Sequence, residues 1–465
     1  MQYLIPILII LNGTSFVFGG APHLNGADLS ILWVIPFAGL LLSIAGVPLI
    51  APQFWHYHFG KVSVFWAALL IIPFLLVKGL SITLYELLHV GLLEYIPFII
   101  LLLALFTISG GVQLTGSLVG KPIVNTGIIL LGTILASWMG TTGAAMLLIR
   151  PLIRANKDRK SKVHIIVFFI FLVANIGGSL TPLGDPPLFL GFLKGVDFFW
   201  TTSAMFLPMV FMVVCLLTIF FALDTYIYNK EGNQLVPDTD EKLNIKGSFN
   251  LLLLLGVIGS VLLSGFWHPH ISFSIYHVEV ELQNIIRDGL LLLLTMISWK
   301  ITSIEIHEAN EYTWFPIVEV AKLFAGIFIT IIPVIAILKA GISGALSGVI
   351  TSISNEAGPI NHMYFWATGI LSGFLDNAPT YLVFFNIAGG DASLLMGDLS
   401  QTLLAISAGA VFMGANTYIG NAPNFMVKSI SESSGIEMPS FFGYLFKWSL
   451  PILIPLFVLV SIIFF

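Results

Sequence analysis

Runs of about 20 apolar residues, the length that crosses a hydrocarbon layer ~30 Å thick as a helix, recur along the chain. They fall at 31–50, 62–77, 92–109, 164–180, 203–223, 249–266, 285–299, 316–338, 400–418 and 443–465. The run at 285–299 is the weakest, because Arg287 and Asp288 sit near its start. Such runs are too long and too evenly apolar for strands, and in lipid a helix satisfies its own backbone polar groups. Composition agrees: 57% of the residues are hydrophobic and 9% charged, against roughly 25% charged in soluble domains. A soluble chain is excluded, and lipid is the expected surroundings. A net charge of -5 without a concentrated basic face gives no support to nucleic-acid binding. The lone Cys215 excludes a disulfide framework and a cysteine-built metal site. Residues 1–20 read as a signal-like leader or a first apolar segment, cleaved or kept.

Two further apolar stretches, 122–149 and 360–386, are interrupted by Trp138-Met-Gly-Thr-Thr-Gly143 and Phe374-Leu-Asp-Asn-Ala-Pro379. A straight helix of 28 residues would be about 42 Å long, more than the bilayer core requires, so folding back at the Gly or Pro is expected to give two half-depth arms. If these hairpins turn back, every other run crosses once, and residues 21–30 lie outside, only Lys78, Lys194, Arg287 and Lys339 fall on the external side. The other fifteen of the 19 Lys and Arg residues are then cytoplasmic, as the positive-inside rule asks. Tyr228 to Gly247, rich in charged residues and Asn, is expected to be a solvated connector, and Trp267-His-Pro-His270 an external loop.

The chain also repeats itself at an offset of 236 residues. Leu135–Ala144 lies over Leu371–Thr380, and Gly178–Phe189 over Gly414–Phe425, the second pair with identities at Gly178/Gly414, Thr181/Thr417, Gly184/Gly420, Pro187/Pro423 and Phe189/Phe425. The loop after the first hairpin, Arg150 to Lys162, has six basic residues, whereas its counterpart Asn386 to Asp398 has none and carries two aspartates. The copies are therefore expected to face opposite ways, a plan common in secondary transporters, where substrate sits near the midplane between the copies. The predicted fold is an all-α polytopic membrane protein built of inverted repeats, with about 10–11 transmembrane helices, two re-entrant hairpins and two discontinuous helices. Its first half would be 21–225 (hairpin 122–149, broken helix 164–200), its connector 226–248 and its second half 249–465 (hairpin 360–386, broken helix 400–436).

Intramembrane carboxylates cost something like 2.5–3.5 kcal/mol on insertion scales and mark function by default. Asp376, at the tip of the second hairpin, and Asp185, after the Thr181-Pro-Leu-Gly break, are the two candidates. The repeats place Thr141, Thr142, Thr181, Asn377, Thr380, Asn416, Thr417, Asn421 and Asn424 around them. These side chains, with carbonyls freed where helices unwind, supply oxygen ligands for a small hard cation, while half-helix amino ends supply donors for an anion. Asp376, Asn377 and Asp185 are the candidate sodium ligands. A carboxylate that holds either a proton or a sodium ion, but never both, would exchange the two across the membrane. No Arg or Lys lies inside the four break motifs, which leans toward a cation, although helix ends bind anions unaided.

The hairpins with Asp376-Asn-Ala-Pro379, the Gly184-Asp-Pro-Pro187 break and its partner Gly420-Asn-Ala-Pro423 resemble the ion transporter superfamily. That group holds NhaD-type sodium/proton antiporters, citrate-metal transporters, arsenite permeases and sodium/dicarboxylate symporters. Leu32-Trp-Val-Ile-Pro-Phe-Ala-Gly39 through Phe54-Trp-His-Tyr-His58 and Gly60-Lys61 is most similar to bacterial antiporters of the citrate-transporter-like group. The resemblance implies a homodimer in the bacterial inner membrane, with a scaffold part and a moving transport part working as an elevator. It implies no cofactor, and as partners only lipid, Na+, H+ and in one reading a carboxylate. The Ser-Asn-Thr signature of the dicarboxylate symporters is missing at both tips, Gly140-Thr-Thr-Gly143 and Asp376-Asn-Ala-Pro-Thr380.

Three readings follow: a sodium/proton antiporter on Asp376 and Asp185, a cation-coupled citrate, carboxylate or oxyanion transporter, and, remotely, an intramembrane aspartyl protease. Against the last, Leu183-Gly-Asp185 lacks the first glycine of Gly-x-Gly-Asp, and no Tyr precedes Asp376.

Overall fold

The computed structural model describes residues 22, 24–232, 242–355 and 358–465, so the leader 1–20 and the middle of the connector lie outside the described residues. The longer helices are α1 (Ile35–Ile50), α2 (Pro52–Val90), α3 (Ile96–Gly110), α4 (Pro122–Met139), α5 (Thr141–Ala155), α6 (Val163–Leu172), α7 (Pro186–Leu193), α8 (Phe198–Glu231) and α9 (Phe249–Phe266). After them come α10 (Leu282–Ile301), α11 (Phe315–Thr330), α12 (Ile332–Lys339), α13 (Asn361–Leu375), α14 (Asn377–Ile387), α15 (Ser400–Met413), α16 (Ala422–Ser433) and α17 (Leu450–Phe464). Strands are confined, among the described residues, to three two-stranded ribbons, one of which pairs Gln113–Thr115 with Asn244–Lys246 and so ties down the end of the connector.

Six helical stretches are long and apolar enough to cross a membrane: Ile31–Ile50, Pro52–Gly110, which is kinked at Gly79, Pro122–Met139, Phe198–Glu231, Phe249–Phe266 and Phe441–Phe464. The protein is thus an all-α multi-pass membrane protein. The runs 62–77 and 92–109 lie on either side of a break at Gly79, so they are separate helical pieces of the stretch Pro52–Gly110. Gly79, at φ 84° and ψ 168°, is not helical and divides α2 into two helices that meet at a kink, and a π-helical turn at Gly91–Tyr95 joins the second of them to α3. The run 316–338 divides at Ile331 into α11 and α12, bent by 41°, where Pro333 opens the second piece. The runs 164–180 and 400–418 yield α6 and α15, of 10 and 14 residues, because each ends at a break.

Those two short helices form the centre. Every residue from His164 to Leu172 in α6, and every residue from Thr402 to Met413 in α15, is buried, as a helix apolar on all sides requires. The outer helices instead turn large apolar side chains outward, with Ile50 86% and Leu76 80% exposed, a surface suited to lipid.

The offset of 236 residues holds in the backbone. α4 ends at Met139 and α5 begins at Thr141, while α13 ends at Leu375 and α14 begins at Asn377. The linking residues match, Gly140 at φ 81°, ψ 147° and Asp376 at φ 76°, ψ 140°. That conformation suits glycine and strains an aspartate by about 1–3 kcal/mol. The later breaks match as well: α7 starts at Pro186 and α16 at Ala422. Each break is stapled to its tip by one hydroxyl. Thr181 Oγ1 donates to the Ser137 carbonyl, and Thr417 Oγ1 donates to the Gly373 carbonyl at 2.5 Å. The same oxygens accept the Leu183 and Ile419 amides, both at 3.2 Å. Packing also crosses between halves in corresponding pairs, α14 on α7 and α5 on α16.

The breaks fold back so tightly that no side chain fits. A Cβ at Gly184 would sit 2.2 Å from the Gly178 carbonyl oxygen, and one at Gly420 would sit 2.5 Å from that of Gly414. Gly184→Ala is therefore expected to lower stability by about 1–3 kcal/mol, the usual effect of overpacking, whereas Gly127→Ala, with open space around it, changes it little. Thermal unfolding of the purified variants checks this, and an unchanged midpoint for Gly184→Ala would contradict the close approach.

Candidate functional site

Asp185 stands at the N-cap of α7, 1% exposed. Its carboxylate accepts from all three other break motifs. Thr141 Oγ1 of the first tip donates to Oδ1 at 3.3 Å, Asn421 Nδ2 of the second broken helix to Oδ1 at 2.9 Å, and Asn377 Nδ2 of the second tip to Oδ2 at 2.5 Å. Burying a carboxylate is tolerable only where donors replace its water, and these three offset that cost without any cation among them. The amino ends of α5, α7, α14 and α16 all begin at this cluster, so the positive ends of four helix dipoles add potential there.

Asp376 is half-buried and caps α14, accepting from the Ala378 amide at 3.0 Å. Its carboxylate lies within electrostatic reach of Asp185, and Asn377, the next residue, touches Asp185 directly. Two carboxylates from different halves thus share one polar cluster.

The remaining expected site residues divide. Thr181 and Thr417 staple the breaks, as above. Thr380 Oγ1 donates back to the Asp376 carbonyl at 2.7 Å within its own helix. Asn416 accepts from Ser449 at 3.2 Å and serves the packing of the second break. Thr142 is half-buried and is not among the groups that touch Asp185. Asn424 holds the second break together, donating to the Gly414 and Thr417 carbonyls at 2.9 and 2.8 Å.

One residue beyond those expected joins the cluster. Asn175, fully buried where α6 unwinds, donates to the Ile170 carbonyl and to Asn424 Oδ1, leaving its own Oδ1 without a partner. Asn377 Oδ1 is likewise unpartnered. Both amides flank Gly414: a Cβ there would lie 3.1 Å from Asn175 Oδ1 and 3.7 Å from Asn377 Nδ2. Asn421 bridges the two regions, since its Nδ2 also reaches the Ala174 carbonyl at 3.1 Å. A buried amide oxygen with no donor is costly and is well placed to coordinate a hard cation, which takes oxygen ligands. Rotating a side-chain amide exchanges a donor for an acceptor at the same place, so the groups that neutralise Asp185 can also turn oxygens toward an ion beside it.

Comparison with known proteins places the chain among transporters. Residues 26–465, nearly the whole chain, match a protein family described as "Putative citrate transport". Over 328 residues, 68% of this chain and 71% of the relative, the chain is 24% identical to an uncharacterized transporter of Mycobacterium bovis. The same figures hold for an uncharacterized transporter of Mycobacterium tuberculosis. The chain belongs to this citrate-transporter-like family, and it is a multi-pass membrane transporter rather than an enzyme.

Proposed function

We propose that the protein is a sodium/proton antiporter in which Asp185 carries sodium and proton alternately. The observation that supports this reading best is a buried carboxylate whose partners are all neutral, drawn from three other helix breaks, beside two unpartnered amide oxygens. With a proton on Asp185 the site is neutral. With the proton gone, the carboxylate, Asn377 Oδ1 and Asn175 Oδ1 offer three oxygens to a sodium ion. Proton and ion compete for one charge, so each crosses only when the other has left. Asp376, strained into a glycine-like conformation at the tip, supplies a second negative charge that draws the cation in.

In this reading the two copies are inverted, their tips are re-entrant, and access alternates by an elevator-like displacement of the tips and broken helices against the outer helices of a homodimer in the inner membrane. Kinked helices alone would not share an offset, matching backbone angles and matching staples.

A second reading, cation-coupled transport of citrate or another carboxylate or oxyanion, draws support from the family description and from the four helix amino ends, which favour an anion. Dissipation of a proton gradient in everted vesicles separates the two. Sodium or lithium alone is expected to collapse the gradient, and a response only when citrate is added would favour the second reading. Asp185→Asn is expected to reduce exchange to the vesicle background, and Asp376→Asn to weaken apparent affinity for the cation while leaving exchange measurable. Full activity in Asp185→Asn would remove the mechanism.

Asn175→Ala, which deletes the coordinating oxygen together with the Nδ2 bonds to Ile170 and Asn424, is expected to raise the sodium concentration for half-maximal exchange by about tenfold, the effect of roughly 1.4 kcal/mol. An unchanged half-maximal concentration would remove Asn175 from the ion shell.

A further inference from the structure

The first broken helix is tied to neighbouring elements by ion pairs at both ends, whereas among the described residues the ion pair of the second, Lys428–Glu432, lies within α16 itself. At the Lys162 end, Asp224 of α8 accepts from Arg159 Nη1 at 2.6 Å, from His164 Nε2 at 2.8 Å and from Asn125 Nδ2 at 2.9 Å. The Arg159 and Asp224 side chains are 0% exposed. Arg159 also pairs with Glu231 at 3.1 Å and lies over the Tyr228 ring. At the other end, Lys194 caps the carboxyl end of α7, where a cation suits the helix dipole, and pairs with Glu94. Glu94 is presented by the π-helical turn Gly91–Tyr95, its side chain 4% exposed and its Oε2 without a partner. The positions 236 residues on from His164, Lys194, Asp224 and Glu94 are Ser400, Ile430, Val460 and Thr330, none of them charged.

The two restraints differ in kind. The Asp224 cluster is dry and bonded several times over, and removing one member strands a buried charge. The Glu94–Lys194 pair is a single hydrogen-bonded contact, with His89 and Lys339 also within electrostatic reach of Glu94. Lys194 is 19% exposed, and a cavity of about 890 Å³ is lined by Leu92, Leu93, Leu193 and Gly195, neighbours in sequence of both partners. Water entering there can solvate both charges once they part.

We infer that the first broken helix is an arm hinged at Asp224 and latched at Glu94–Lys194, and that opening this latch frees α7, and with it Asp185 at its other end, to move. Glu94 and Lys194 are positioning residues: they touch no ion and act by setting where Asp185 sits. The inference rests on the reading of Asp185 as the ion carrier, but its test uses no ion, so the two can fail separately.

In a Cys215→Ser background reconstituted in lipid nanodiscs, the rate of maleimide reaction is measured at Leu190→Cys, buried in α7, and at Val167→Cys, buried in α6. Glu94→Gln is expected to speed labelling at position 190 by about tenfold through local opening and to leave position 167 slow. Glu94→Asp, which keeps the negative charge facing Lys194 and Lys339, is expected to keep the slow rate. Unchanged labelling at position 190 in Glu94→Gln would overturn the latch, and so would equal acceleration at both positions, which reports general loosening. A Glu94→Asp protein that labels as fast as Glu94→Gln would also overturn it. Proton-gradient assays on the same variants then report on ion carriage independently.

Discussion

The Asp185 carboxylate organises the molecule. A charge at this depth needs donors, and three of them arrive from chain segments 44, 192 and 236 residues away. Each donor is delivered by a helix that stops inside the protein, so the breaks and the carboxylate require one another. Interrupted backbone at membrane depth is tolerated only where protein covers it, and here the all-buried helices α6 and α15 do so. The Thr181 and Thr417 staples then satisfy, at each break, a carbonyl that a continuous helix would have paired.

The two halves share a backbone and differ in chemistry. Where the first has Asp185 and Thr141, the second has Asn421 and Asn377, and where the second has Asp376 the first has Gly140. A strictly symmetric pair of aspartates at 185 and 421 would repel at hydrogen-bond distance, whereas aspartate facing asparagine forms a charge-assisted bond. The second carboxylate stands at the tip, half-buried, close enough to be felt but not part of the same bonded group. The asymmetry continues outward: among the described residues, ion pairs join the first broken helix to its neighbours at both ends, whereas the ion pair of the second, Lys428–Glu432, lies within its own last turn. Symmetric breaks supply a place where four helix ends meet, and asymmetric side chains give that place a charge and a direction.

Much of this arrangement was legible in the sequence. The 236-residue offset, the break positions and the meeting of Asp185 with Thr141, Asn377 and Asn421 follow from apolar length, Gly and Pro placement and the cost of an intramembrane charge. The roles of Thr181, Thr417, Thr380 and Asn416 did not follow, because spacing reveals that a hydroxyl or amide is near a break but not which carbonyl it faces. Asn175 and Glu94 were hidden for a different reason. Each is one polar residue within or beside an apolar run, and it acquires meaning only when the chain unwinds at the end of α6 or widens into a π-helical turn.

The central claim, that Asp185 and the amides around it hold the ion, is tested most directly by comparing high-resolution cryo-electron microscopy maps of the protein in nanodiscs prepared in sodium and in a large organic cation. The account requires a sodium-dependent density bonded to an Asp185 oxygen, with the Asn377 and Asn175 amide oxygens turned toward it. Identical maps around Asp185 in the two preparations, or an ion held elsewhere, would contradict it.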